Sequence, residues 1–446
     1  MLYTLGVLFF AVGLLASIAL HELGHMVPAK KFGVKVTQYM VGFGPTLWSK
    51  RRGDTEYGLK AIPLGGYIRM IGMIPPRQND KPSRWPRRLA TMVEDFRATS
   101  RHDIAPGDGP REFYRVTPWK KIVVMVGGPS MNLLIYVVLT VLLLGAVGQK
   151  NPTNKIESVA TCVVAANATN LPADGSCPAG APAAPASGKL QPGDRILAVN
   201  GHQVKSWAAT VKIIEGSANK PLTMTIERDG TQQTVSLVPV ENVKYANDTG
   251  TKTKKAGFVG IGMQERYAPV PLAQVPGQIN SQIVQSLHAL ASFPAKVGSL
   301  FGTVFEGKKR DPNGAVGVVG LGRFGGEVAA SQNIDLLDKA YLLLFLLAGV
   351  NLLLFFFNML PLLPLDGGHV AGAIVEILKR RWAAWQDRRV ARAERGPPGA
   401  APPARRPIYV DTAQMVPVLY GVASLLLLFT LLVVYADIVK PITLNS

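Results

Sequence analysis

The sequence predicts a polytopic α-helical membrane protein. It should have four transmembrane helices, a hairpin-like segment after the first, and an extracytoplasmic β-rich domain inserted between the second and third. Three observations lead there. Hydrophobic residues make up 48% of the 446 residues, which is high for a soluble enzyme and directs attention to spanning helices. Four stretches are long enough to cross a bilayer: Leu2 to about Met26, Ile122 to Val147, Ala340 to about Leu360, and Val416 to Tyr435. Basic residues, finally, crowd particular ends of these stretches.

Lys30, Lys31 and Lys35 follow the first span, Arg111, Arg115, Lys120 and Lys121 precede the second, and Lys379, Arg380, Arg381, Arg388 and Arg389 follow the third. Flanking cations mark the cytoplasmic side. Loops 27–121 and 366–412 are therefore expected inside, with the N-terminus, segment 148–339 and the C-terminus outside. The net charge of +19 reads as topology plus attraction to anionic headgroups of the lipid bilayer, not as a nucleic-acid interface. The expected organisation is residues 1–147 with the first two spans, 148–275 as a linker and the β-rich domain, 276–339 as an amphipathic membrane-surface region, and 340–446 with the last two spans.

The first span has no basic leader and no small-residue cleavage site, so it reads as a span and not as a signal peptide. It runs into His21-Glu22-Leu23-Gly24-His25. On a helix, His-Glu-x-x-His places two imidazoles one turn apart on one face, where both can ligate one zinc ion, with the glutamate as general base on a water. Residues 41–70 then alternate around glycines and the turn signal Arg52-Gly53-Asp54, predicting a hairpin of short strands. Residues 75–110, rich in Pro, Arg and Asp without apolar periodicity, read as a solvated, mobile loop.

After the second span, residues 160–187 have the Ala/Pro/Gly character of a linker. The two cysteines, Cys162 and Cys177, fall in this segment, where a disulfide and two unpaired small residues are both open. Pro192-Gly193-Asp194 and Asn200-Gly201 bracket a short strand, a helical stretch surrounds Ala208–Glu215, and Leu222–Arg228 and Gln233–Val240 alternate as strands about Asp229-Gly230. Residues 277–305 carry apolar residues at helical spacing and suit either an amphipathic helix on the outer membrane face or a core helix. Residues 382–407 read as an Arg/Ala/Pro-rich cytoplasmic loop.

Two histidines leave a catalytic zinc site one protein ligand short. The third span ends in Asn358-Met359-Leu360-Pro361-Leu362-Leu363-Pro364-Leu365-Asp366-Gly367-Gly368-His369, where the prolines break the helix and the glycines permit tight turns. An acid at membrane depth is a functional hypothesis by default. The expected topology puts Asp366 level with His21 and His25, so it is the candidate third ligand, with His369 as the alternative.

These residues resemble the site-2 proteases, intramembrane zinc metalloproteases of the RseP type. His21-Glu22-Leu23-Gly24-His25 is similar to that family's zinc motif, Leu365-Asp366-Gly367-Gly368 to its distal aspartate motif, and Gly128-Pro129 with Asn132 to its second-span signature. Tyr57 to Met70 resembles its membrane re-entrant β-hairpin, and Gly193-Asp194-Arg195-Ile196-Leu197 with Val199-Asn200-Gly201 resembles an inserted PDZ domain. The resemblance implies Zn2+ held by His21, His25 and Asp366, Glu22 as catalytic base, and Asn358 with Gly65 and Gly66 positioning an unwound substrate. It implies membrane-protein substrates such as anti-sigma factors or signal-peptide remnants, cut after an upstream site-1-type protease, in the bacterial inner membrane with the active site near the cytoplasmic face. Loops 75–110 and 382–407 are extra to the family's minimal pattern. A competing reading is a non-enzymatic membrane adaptor whose PDZ-like domain gathers partners around a structural metal site; an ion transporter lacks the further intramembrane acids it would need.

Overall fold

A computed structural model describes residues 1–77, 85–101, 104–166, 168, 176–204, 206–245, 253–308, 310–311, 314–393 and 408–442. The chain divides into two compact units, Met1–Leu143 with Leu272–Ser446, and Leu144–Pro271. In chain order, α1 (Leu2–Lys31) leads to the hairpin strands β1 (Val36–Arg52) and β2 (Thr55–Met70), then α2 (Arg87–Arg101) and α3 (Pro118–Leu142). The second unit follows with β3 (Gln149–Val159), β4 (Arg195–Val199), β5 (His202–Gln203), α4 (Trp207–Gly216), β6 (Leu222–Arg228), β7 (Thr231–Leu237), β8 (Val240–Tyr245), β9 (Thr253–Phe258) and β10 (Ile261–Ala268). The chain returns through α5 (Val275–Ala291), α6 (Phe293–Phe305), α7 (Val318–Ala330), α8 (Leu336–Asn358), α9 (Asp366–Ala393) and α10 (Val416–Val439).

Among the described residues, α1, α3, α8 and α10 are the helices long and apolar enough to cross a membrane. Lipid gives little hydrophobic drive for helix pairing, so close packing relies on small residues. A Cβ on Gly127 of α3 would lie 2.1 Å from the Gly24 carbonyl oxygen of α1, and one on Gly6 would lie 2.3 Å from the Gly325 oxygen of α7. Against α8 the contact is polar: the Asn351 amide donates to Ser17 Oγ at 2.9 Å. Where α10 ends, the buried Asp437 accepts hydrogen bonds from Arg310 and from the Gly317 and Gly320 amides at the start of α7, satisfying orphan donors of that helix.

The hairpin is made of two long strands in place of the short ones expected. Tyr39 of β1 stands opposite both Ile68 and Tyr57 of β2, while Trp48 stands opposite Leu59, so each strand bends and presents two segments to its partner. Tyr39 Oη donates to the Ala19 carbonyl at 2.6 Å and fastens the hairpin to α1.

Three expectations are corrected. The solvated loop 75–110 contains α2, whose Val93 is fully buried in a cluster with Ile74, Ala413 and Val416. Its Arg97 guanidinium is held by Asp411 Oδ2 at 3.0 Å and by the Pro75 carbonyl at 2.6 Å, so a buried cation joins the apolar cluster in fixing the helix. Loop 366–412 begins as helix α9, anchored to α3 through the buried pair Lys121–Glu376 at 2.7 Å; residues 394–407 of the expected basic loop lie outside the described residues. The single helix expected over 277–305 is two, α5 and α6, parted at Ser292 with Pro294 in the first turn of α6, where a missing N–H costs nothing.

The second unit is β-rich. Its main sheet runs β10-β3-β4-β6-β7, with β5 pairing β4, and β8 and β9 form a separate hairpin. Asn200-Gly201 and Asp229-Gly230 take positive φ at both positions (48° and 78°, 49° and 78°), the turn geometry that matches strand twist. Ser206 caps α4 by accepting from the Ala209 amide. Ile156, Ile196, Val199, Leu222, Met224 and Ile226 fill the core against Trp207. Cys162 and Cys177 are joined in a disulfide, which settles the alternative left open above.

Candidate metal centre

Helical spacing puts His21 and His25 on one face of α1, with ring Nε2 atoms 3.2 Å apart. The third donor arrives because α8 stops at Asn358. Beyond it Pro361 and Pro364 prevent a continuous helix, and the turn closes through Leu362 N–H to Leu360 O (2.7 Å) and Leu365 N–H to Leu362 O (2.8 Å). Gly367 and Gly368 are needed by this reversal: a Cβ on the first would lie 2.3 Å from Leu360 O, and on the second 2.7 Å from Leu363 N. Asp366 is thereby the first residue of α9, and its Oδ2 lies 3.4 Å from His21 Nε2 and 3.3 Å from His25 Nε2.

The three donors form a nearly equilateral triangle. Its 3.2–3.4 Å sides are the edges of a tetrahedron whose metal–ligand bonds are about 2 Å, the length of Zn–N and Zn–O bonds. Among the described residues Asp366 Oδ2 is buried without a hydrogen-bond donor, a costly arrangement for a carboxylate unless a cation faces it. Among the described residues His21, His25 and Asp366 are the one such group of potential metal ligands. The donor set fits a divalent metal with a fourth position left for water or substrate.

Surrounding groups orient the imidazoles. His25 Nδ1 donates to the Val124 carbonyl of α3 at 2.8 Å, which leaves Nε2 free as a ligand. His21 Nδ1 lies 3.2 Å from the Asn132 amide, whose Oδ1 is buried and unpaired. Turning that amide by 180° lets Oδ1 accept the Nδ1 proton, satisfying both groups and freeing His21 Nε2 as well. Gly128 leaves room for the ring of His25: a Cβ there would stand 2.1 Å from Nε2.

Glu22 is buried beside the hairpin. The Ile68 backbone N–H lies beside its carboxylate, and a Cβ on Gly66 would lie 3.1 Å from Glu22 Cγ. Gly65 adopts φ +105°, with the Phe43 ring where a Cβ would sit. Asn358 lies eight residues before Asp366, and no side-chain hydrogen bond joins it to the triad among the described residues. His369 falls outside the triangle and faces a cavity instead. Sequence reasoning missed the Val124 carbonyl, which no side-chain pattern can signal; it singled out Gly128 with Pro129 and Asn132 by resemblance, but not the clearance for His25 that Gly128 provides.

Metal-ligating chemistry beside a buried glutamate, on helices of membrane length, defines a membrane-embedded metallopeptidase. The chain belongs to peptidase family M50, the site-2 proteases, whose sequence model matches residues 9–392. Relatives along the whole chain are named zinc metalloprotease Rip1. The protein from Mycobacterium tuberculosis is 34% identical over 100% of both chains, that from Mycobacterium bovis 34% over 100% of both, and that from Mycolicibacterium smegmatis 33% over 100% of both.

Proposed function

We propose that this protein is a zinc endopeptidase that cuts membrane proteins within the bilayer, with His21, His25 and Asp366 as the ligands and Glu22 as the base. The observation that carries this reading is the triangle of three donors with 3.2–3.4 Å sides one residue from a buried carboxylate. Three protein donors are the pattern of a catalytic zinc site, whereas a structural site closes with four, which disfavours the adaptor reading. Zinc bound there would supply Lewis acidity toward a peptide carbonyl and lower the pKa of an attacking water. Glu22 is placed to take a proton from an attacking water and return it to the leaving amine nitrogen, with the Ile68 N–H beside its carboxylate.

A substrate helix has its carbonyls hydrogen-bonded internally and must unwind before it is cut. The segment of β2 beside Glu22 offers strand pairing to an extended chain, which supports a re-entrant hairpin with Gly65 and Gly66 as positioning residues and Asn358 as a further one. The β-rich unit, with its Gly193-Asp194-Arg195-Ile196-Leu197 turn and strand, acts as a PDZ-like domain outside the membrane. The basic residues around 30–35, 111–121 and 379–389 favour a cytoplasmic location for the active-site end in a bacterial inner membrane. Anti-sigma factors or signal-peptide remnants, trimmed first by a site-1-type protease, are substrates of the required form.

The test is the full-length protein in nanodiscs with Glu22→Gln. Cleavage of a transmembrane substrate should fall by about 10²- to 10⁴-fold while zinc content stays at one per chain. Unchanged cleavage would sink the assignment of Glu22.

A further inference from the structure

We infer that a cavity walled by α2 is a specificity pocket that receives one apolar, uncharged side chain of the substrate next to the bond being cut. This rests on the endopeptidase reading above. The partly open cavity has a volume of about 350 Å³, within the range of ligand pockets, and has room for one or two large side chains. Ile68, Met70 and Met73 form one wall, Phe96 of α2 another, and His369 and Leu419 close it from α9 and α10.

Its position ties it to the chemistry. Ile68 lines the cavity, and its backbone N–H faces Glu22. Leu363 and His369, both in the lining, lie three residues on either side of Asp366. The pocket therefore adjoins the base along the strand and the aspartate along the chain. A substrate strand laid beside β2 points successive side chains to opposite faces, so a residue flanking the scissile bond is directed into this space.

Its chemistry selects the occupant. Most lining residues are apolar, and the thioethers of Met70 and Met73 adapt to varied shapes. Among the described residues no carboxylate lines the cavity, whereas Arg69 and His369 do, so the lining disfavours a lysine or arginine side chain.

The α2 wall is held rigidly. Arg97, only 4% exposed, bridges the Pro75 carbonyl and Asp411, and Trp85 Nε1 donates to the Gln414 carbonyl at 2.8 Å. These bonds present Phe96 and Thr99 to the cavity from a fixed helix. They also give the segment between the hairpin and α3 a role that contributes no metal donor.

The test uses full-length protein in nanodiscs and a synthetic Leu/Ala-rich transmembrane peptide with a Gly-Ser step, its cut site mapped by mass spectrometry. Residues flanking the cut are varied through Ala, Leu, Phe and Lys. Wild type should favour Leu or Phe over Ala and disfavour Lys at one flanking position. In Phe96→Trp the Phe-to-Ala ratio of kcat/KM should fall about tenfold, and in Phe96→Ala it should rise. Thr99→Leu, which fills the same wall, should also lower the ratio and serves if Phe96→Trp does not fold. A ratio that stays constant in the folded variants while wild type cleaves and Glu22→Gln does not would overturn the pocket and leave the endopeptidase standing. Equal cleavage by wild type and Glu22→Gln would overturn both.

Discussion

Gly128 of α3 and His25 of α1 share a space too small for a methyl group, since a Cβ on the glycine would stand 2.1 Å from the imidazole Nε2. Flexible side chains can yield, but this ring is pinned by its bond to Val124 and belongs to the donor triangle. Gly128→Ala should displace the ring and lower zinc occupancy, measured by elemental analysis of protein that still shows a cooperative melt. Cleavage should drop by about 100-fold. Full zinc content in the variant would show that the helices separate to accept the methyl.

Asn132 lies 3.2 Å from His21 Nδ1, on the side of the ring away from the donor triangle. Asn132→Asp preserves an oxygen for Nδ1–H, and Asn132→Leu does not. The leucine variant should bind zinc about 10- to 100-fold more weakly, the aspartate variant closer to wild type, by competition against a chelator. Equal affinities for the two would remove the orienting role.

Lys121 and Glu376 form a buried pair that anchors α9, and with it Asp366 at the helix start. Glu376→Gln leaves the buried Lys121 charge unpaired and should cost about 3–5 kcal/mol, whereas Lys121→Met should cost less because Glu376 keeps Arg380 at 2.6 Å. The double variant Lys121→Met/Glu376→Leu should recover most of the loss. Thermal unfolding in detergent reads this, and additive losses in the double variant would contradict it.

In the β-rich unit, the Arg228 guanidinium grips Asp194 by two bonds of 2.7 Å and, with the Gln191 amide, holds its carboxyl below the usual carboxylate range. A carboxyl depressed on folding adds stability above its unfolded value, near pH 4, and loses it as the pH falls through its folded value. Asp194→Asn should cost about 2 kcal/mol at neutral pH and flatten the acid limb of the stability curve of this unit. An unchanged acid limb would assign the acid sensitivity elsewhere.

Much of the fold was legible because its determinants are local. Runs of about twenty apolar residues mark α1, α3, α8 and α10 wherever they pack, and Asn200-Gly201 and Asp229-Gly230 carry their turns with them. The helices α2 and α9 were not legible in the same way. Their fixed positions come from Arg97 meeting Asp411 and Lys121 meeting Glu376, partners 314 and 255 residues apart, and a cation on a polar segment reads as solvated until its distant acid is known. The cavity beside Ile68 was invisible for the same reason.

By itself the sequence determined that His21 and His25 share a helix face, because a spacing of four residues is nearly one helical turn. It also determined that Pro361 and Pro364 would break the helix before Asp366, with small residues at Gly367-Gly368 permitting a tight turn. Only the tertiary structure decided that Asp366 Oδ2 would come to 3.3 Å from His25 Nε2, that Val124 and Asn132 would face the imidazoles, and that Ile68 would face Glu22. Those distances depend on how closely helices approach, and Gly24, Gly127 and Gly128 set that approach through the absence of side chains.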